Sequence, residues 1–423
     1  MRQPVIYLTL FCTFLTFAVS GQEETNYDED KVPEYTLPEL LVSKNGREIT
    51  NSRRWNRIRR PEILSMFEEY MYGKIPGELN IESFRIIERD ENALGGKAVR
   101  KQVILEFYGN GRNLEVHLLK YLPRGATNVP VFLGYNFGGN HTVSNDPEIA
   151  PTRSWVRNSP QRGIEDNRAT EQSRGDAQGR WDIEQIIDSG YGLVTLYYGD
   201  VFPDKDDFTV GVHPLLYSEG QEKPLPGEWG AISAWAWGLK RVMDYFEEDP
   251  GIDQEKVIVM GHSRLGKTAL WAGALDERFA MVISNNSGGG GAALSRRRFG
   301  ERLGRMNENF PHWLCENNSR FDWDEDSLPV DQHMLIALMA PRPVYIASAE
   351  EDRWADPKGE YLSGHYATEA YRLFGKDGLP SGEMPALNNP VMNTIGFHIR
   401  PGAHSVLPYD WEQFIRFANL HLK

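Results

Sequence analysis

The chain has 423 residues, 40% hydrophobic and 25% charged, with 46 Lys and Arg against 60 Asp and Glu for a formal charge of −14. This is an ordinary globular balance with ample material for a core. The acidity disfavours nucleic acid and anionic membranes as partners, because both repel a strongly anionic surface.

Met1 to Gly21 carries one Arg, an apolar run from Val5 to Val19 and a small-residue site at Ala18-Val-Ser20, the pattern of an export signal. Residues 1–20 are expected to be removed on the way to the periplasm or the exterior. That loss takes away Arg2 and Cys12, so the charge becomes −15 and Cys315 is left with no disulfide partner. The apolar run is short for a membrane span, and no later segment approaches the length required.

Residues 21–125 read as an amino-terminal extension packed on the main domain, with a β-hairpin at Gly109-Asn-Gly111. Residues 126–423 read as that main domain. Strand-like runs at Val131 to Tyr135, Leu193 to Tyr198, Val257 to Met260, Met281 to Ser284, Val344 to Ala347 and Ile395 to Ile399 alternate with helical segments. This alternation predicts an α/β three-layer sandwich, a mostly parallel central sheet with helices on both faces. The polar, glycine-rich stretch Asn140 to Gly179 reads as an inserted lid or rim loop. A helix is expected over about Ala231 to Phe246, where Ile232, Trp235, Leu239, Val242 and Phe246 recur on one face as core.

The run Lys256-Val-Ile-Val-Met-Gly-His-Ser-Arg-Leu-Gly-Lys267 is a buried strand entering a tight turn, with a helix expected from Thr268 to Leu275. A serine at such an apex is a nucleophile elbow. The usual pattern puts glycine two residues after the serine, where this chain has Leu265; the glycine follows at Gly266. A serine hydroxyl is a weak nucleophile, so Ser263 needs a base, a partner for the base, and donors for the oxyanion. In an α/β-hydrolase the acid and then the histidine follow in the chain. The strand Arg342 to Ala349 ends in Glu350-Glu-Asp352, from which Asp352 is taken as the acid, although spacing alone does not exclude Glu350 or Glu351. The strand Thr394 to Arg400 leads into a loop closing on His404, the expected base. His398 alternates with apolar residues inside that strand and His262 points away from the elbow apex, so both read as packing. No H-x-x-x-H or C-x-x-C pair occurs, no phosphate-cradling loop is present, and Gly288 to Gly291 lacks dinucleotide-binding spacing. No metal or cofactor is expected, and the glycine run is read as allowing close backbone packing.

The elbow Gly-His-Ser-Arg-Leu-Gly-Lys resembles that of carbohydrate esterase family 15, the glucuronoyl esterases, which carry G-x-S-R-x-G with the glycine displaced as here. The similarity extends over Asn286 to Arg297, Phe310-Pro-His-Trp313, Leu328 to Pro343 and Asp352-Arg-Trp-Ala-Asp-Pro357. The resemblance implies that Ser263 attacks an ester carbonyl, His404 relays the proton, Asp352 orients the imidazole, and Arg264 supplies charge to the oxyanion. It also implies Lys267 and Glu301 as donor and acceptor toward sugar hydroxyls and Trp354 as an aromatic wall. Fungal members place a catalytic glutamate where this chain has Asn286. An amide cannot stabilise an imidazolium as a carboxylate does, so the acid role falls to Asp352, as in bacterial members. The expected activity is hydrolysis of glucuronic or 4-O-methylglucuronic acid esters, such as those linking glucuronoxylan to lignin, through an acyl-enzyme. An acetyl xylan esterase or a non-catalytic glycan-binding protein are the alternatives. The oligomeric state is left open by the sequence, with a monomer as the default.

Overall fold

The computed structural model describes residues 25–380 and 382–423, so the expected export signal lies outside the described residues. In chain order the strands are β1 (Ser83–Asn92), β2 (Ala98–Gly109), β3 (Arg112–Pro123), β4 (Val129–Asn136), β5 (Ile164–Glu165), β6 (Arg168–Ala169), β7 (Gly192–Tyr197), β8 (Ile252–His262), β9 (Met281–Asn285), β10 (Val344–Ala349), β11 (Val391–Met392) and β12 (Ile395–Arg400). All but β5 and β6 form one ten-stranded sheet in the order β1-β2-β3-β7-β4-β8-β9-β10-β12-β11. Its six central strands, β7 to β12 in that order, are parallel to one another and coincide with the six predicted from the sequence. Strands β7, β9, β10 and β12 are buried along their whole length. Burial on both faces is why they read as continuous apolar runs.

Alternate residues of these strands enter different cores, as the two-residue period of a strand requires. On β8, Val257 and Val259 join one cluster while Ile258 and Met260 join the other. The smaller cluster is covered by helices α1 (Ile183–Asp188) and α6 (Pro408–Leu422). The larger takes α2 (Ala231–Phe246), α3 (Arg264–Leu275), α4 (Gln332–Ala337) and α5 (Pro357–Arg372). Helix α2 has the predicted bounds and buries the five predicted positions.

The predicted hairpin pairs Gly109 with Arg112. Asn110 and Gly111 have φ of 48° and 72°, the left-handed pair that a two-residue type I′ turn requires. Through it β1, β2 and β3 form an antiparallel wing, and β3 pairs with β7 from Leu118↔Leu196 to Tyr121↔Leu193. The strands of the amino-terminal segment are thus hydrogen-bonded into the central sheet. Residues 140–179 form the rim as short turns and the small β5–β6 hairpin. Among the described residues no helix is long and apolar enough to cross a membrane.

Candidate active site

Strand β8 runs directly into α3, with Ser263 between them at φ 59° and ψ −134°. A non-glycine residue held at positive φ is strained by about 1–3 kcal/mol and persists only when its surroundings fix it. Here the Ser263 amide donates to the Asn285 carbonyl (2.9 Å), and the amides of Gly266 and Lys267 return to the Ser263 carbonyl (2.8 and 3.2 Å). The helix begins at Arg264, four residues before the sequence-based start, because the serine itself occupies the cap position. A Cβ on Gly261 would lie 1.9 Å from the Leu265 carbonyl oxygen, and one on Gly266 would lie 3.0 Å from Ser287 Cβ. The strand end and the first helical turn are therefore in backbone contact, and the displaced Gly266 packs against the next loop.

The other two members of the predicted triad meet at the same edge. His404 Nδ1 lies 2.6 Å from Asp352 Oδ2, so Nδ1 donates and Nε2 is left to accept a proton. Neither Glu350 nor Glu351 takes that place: both side chains are exposed, and their backbone amides donate to the carbonyls of Arg400 and Gly402 (2.9 and 3.1 Å). Those two bonds splice the acid loop to the histidine loop. Buried Arg400 fixes the second loop from beneath, donating to the carbonyls of Pro401 (3.0 Å), Ala403 (3.4 Å) and Ser405 (2.6 Å) while Asp410 holds its Nε. Asn286 adds a second donor to Asp352 Oδ2 at 2.8 Å. Asn286, where the resemblance implied a departure from the fungal pattern, thus braces the carboxylate predicted as the acid. The His404 side chain is 39% exposed, and the Ser263 hydroxyl makes no hydrogen bond among the described residues. Contacts of this kind tighten when substrate binds.

His262 does more than pack. Its Nδ1 lies 2.6 Å from Asn285 Oδ1, and its ring centroid is 4.3 Å from that of His404. Burial, then the neighbouring His404 and Arg180, hold its pKa well below the usual imidazole range. A neutral ring therefore backs the predicted base. His398 is a satisfied core histidine, bonded to Asp410 (2.8 Å) and Tyr345 (3.0 Å).

The Arg264 guanidinium lies among three aromatic rings, with centroids of Phe137, Tyr198 and Trp313 at 4.9, 5.4 and 5.7 Å. It donates to the Tyr198 hydroxyl (3.2 Å) and pairs with Asp204 at 3.2 Å. Asp204 also accepts from His312 (2.8 Å) and the Trp313 indole (2.7 Å). Although burial opposes ionisation, these donors and Arg264 pull the Asp204 carboxyl down to about 2. Arg264 Nε is buried with no partner among the described residues. Buried donors are rarely left unpaired, and this one sits beside the elbow, with the open N–H groups of the first α3 turn.

Lys267 and Glu301 come together, with Nζ 2.5 Å from Oε2 and both side chains buried. The ammonium also donates to the carbonyls of Ser287 (2.8 Å) and Gly289. All three of its N–H donors are engaged within the protein. The half-buried Trp354 joins the same cluster through its carbonyl, which accepts from the Glu301 amide (2.9 Å). Beneath them lies Glu360, which the sequence reading does not single out. Its carboxyl accepts from the amides of Ser287 (2.7 Å) and Gly288 (3.0 Å) and from Ser348 Oγ (2.5 Å). Burial raises its pKa to about 8, against the pull of those donors.

A central parallel sheet, a strained serine at a strand-to-helix turn, and an imidazole–carboxylate pair on the following strand ends define an α/β-hydrolase. A family profile described as glucuronyl esterase, fungi, matches residues 211–375. A carbohydrate esterase from an unknown prokaryotic organism is 52% identical over 399 residues, covering 94% of this chain and 92% of that one. Among solved structures, a promiscuous CE15 esterase from a marine bacterial metagenome superposes with a TM-score of 0.88 at 52% identity, over 94% of this chain and all 100% of that one. The glucuronoyl esterase from Solibacter usitatus superposes with a TM-score of 0.87 at 45% identity, over 93% and 100%. The chain belongs to carbohydrate esterase family 15, a family of carboxylic ester hydrolases.

Proposed function

We propose that the protein hydrolyses esters of glucuronic or 4-O-methylglucuronic acid, such as those joining glucuronoxylan to lignin alcohols, with Ser263, His404 and Asp352 as its triad. The observation that carries this reading is the 2.6 Å His404–Asp352 hydrogen bond set against the strained Ser263 turn. His404 Nε2 takes the Ser263 hydroxyl proton as Oγ adds to the ester carbonyl. The negative charge that forms on the carbonyl oxygen is met by Arg264 and the first amides of α3. Removing one such donor typically costs about 3 kcal/mol. Collapse breaks the bond to the alcohol oxygen, which leaves with the proton from His404. Water then adds to the acyl-enzyme with His404 again accepting the proton, and the uronate departs as Ser263 recovers its hydrogen.

Lys267 holds Glu301 rather than the sugar, because its donors are already engaged. Glu301 then presents its carboxylate to the ring hydroxyls, with Trp354 beside it. Glucuronoyl esterase relatives support the uronate as the acid component. The promiscuous relative supports a broader ester range as a second reading, including acetylated xylan. The deciding comparison is turnover of methyl glucuronate against acetylated xylan by the wild type and Ser263→Ala. Uronate ester cleavage that falls at least about 10³-fold in the variant is expected. Deacetylation alone would overturn the uronate assignment, and full activity in Ser263→Ala would overturn the nucleophile.

A further inference from the structure

Beside the site, on the same edge of the sheet, the antiparallel wing and the rim enclose a cavity of about 570 Å³ that the reaction above does not use. Its walls are β1, β2 and β3 on one side and residues 150–154 of the rim on the other. That volume lies within the ordinary range for small-ligand sites.

Its chemistry is specific. Asp200 is 5% exposed at the cavity wall, where Oδ1 accepts from Ser154 Oγ (2.6 Å) and Oδ2 from the His117 amide (3.1 Å). The Ser154 hydrogen is thereby committed, and its lone pairs are turned to other donors. Asn113 adds an amide at the strand end, and Ile87, 41% exposed, adds an aliphatic face. Charges of both signs line the walls, Arg85 and Arg153 against Glu115 and Asp200. Of the two rings in the lining, Tyr197 is 1% exposed with its hydroxyl spent on the Trp155 carbonyl (2.8 Å), and the His117 imidazole lies 3.6 Å from the Glu115 carboxylate. Hydroxyl, amide, carboxylate and imidazole groups around an aliphatic patch, with side-chain charges of both signs, suit a neutral polyhydroxylated ligand better than an anion.

The cavity and the elbow share one segment. At the end of β7, Tyr197 faces the cavity while its neighbour Tyr198 meets Arg264, their ring centroids 5.1 Å apart. Further along, Asp200 lines the cavity and Asp204 pairs with Arg264. Two strand spacings separate β7 from β8, about 10 Å, a span that a few linked sugar rings cover.

We propose that this cavity is a distal subsite for neutral sugar units of the glycan that carries the ester. The proposal rests on the uronate-ester reading. The subsite adds binding energy only for substrates long enough to reach it, so it lowers KM for oligosaccharide-borne esters and leaves small esters unaffected.

The test compares benzyl glucuronate with the same uronate ester carried on a xylo-oligosaccharide, using wild type, Ile87→Trp, which fills the cavity from an exposed strand position, and Asn113→Ala. Titration with unesterified xylotetraose accompanies it. The expected result is a KM for the oligosaccharide ester raised about fivefold or more by either variant, with benzyl glucuronate unchanged within about twofold, and xylotetraose binding weakened in parallel. Equal effects on both esters, no effect on either, or no xylotetraose binding by the wild type would overturn the subsite. If the wild type cleaves no uronate ester, the proposed activity fails, while the xylotetraose titration still judges the cavity.

Discussion

At the scale of single residues, Asn286 has the most to say about how this branch of the family differs from the fungal pattern. It sits at φ 46°, in the left-handed region that asparagine tolerates better than most residues, and its side chain donates to Asp352. Asp352 Oδ2 therefore receives two hydrogen bonds, from His404 and Asn286, which together aim the carboxylate. Replacement by glycine keeps the backbone relaxed and deletes only the amide. Asn286→Gly is accordingly expected to lower kcat about tenfold with KM little changed, since the loss is felt in orienting the base and not in holding the sugar. Steady-state kinetics on methyl glucuronate measure both constants. An unchanged kcat would mean that His404 alone positions Asp352.

At the scale of elements, the glycine run Gly288 to Gly291 acts as a saddle between α3 and the loop bearing Glu301. A Cβ on Gly289 would stand 2.1 Å from the Glu301 carbonyl oxygen, a backbone atom that no rotamer change can move aside. The Gly289 carbonyl also receives one of the Lys267 donors. Gly289→Ala should therefore push the Glu301 loop outward and loosen Lys267, costing about 2 kcal/mol of stability and raising KM for uronate esters more than it lowers kcat. A thermal melt and the kinetic split check both halves. The close packing expected of this run was legible in the sequence, and so were the six parallel strands, because burial on both faces leaves an unbroken apolar signal. The His404–Asp352 pair and the Ser263 turn were legible through chain order at strand ends. What escaped was long-range and polar. Nothing local in Arg400, Asp204 or Glu360 announces that each is buried and holds a loop from beneath, since a charged residue in sequence reads as solvated until its partners are known. The start of α3 was misplaced for a related reason: Gly266 and Lys267 interrupt the apolar period just where the helix begins. The wing β1 to β3 was read as an extension because its joint with β7 is a tertiary pairing with no local mark.

For the molecule as a whole, Glu360 ties the site to global stability. It is fully buried under the Ser287–Gly288 turn with Asp352 nearby, and desolvation lifts its carboxyl to about 8. In the unfolded chain the same group titrates near 4.3. Between those values the native state holds one proton more than the unfolded state, so this group's contribution to stability declines as pH rises through the interval, by about 1.4 kcal/mol per pH unit. Below the lower value both states are protonated and the contribution is constant; above the upper value both are ionised and the full loss is in place. Glu360→Gln removes the titration while keeping the pattern of bonds, its oxygen accepting from the two amides and its nitrogen donating to Ser348. Unfolding free energies measured by denaturant at pH 5, 6.5 and 8 should therefore show the variant gaining on the wild type as pH increases. Parallel curves for the two proteins would mean that Glu360 is already ionised across this range and that its hydrogen-bond donors outweigh its burial.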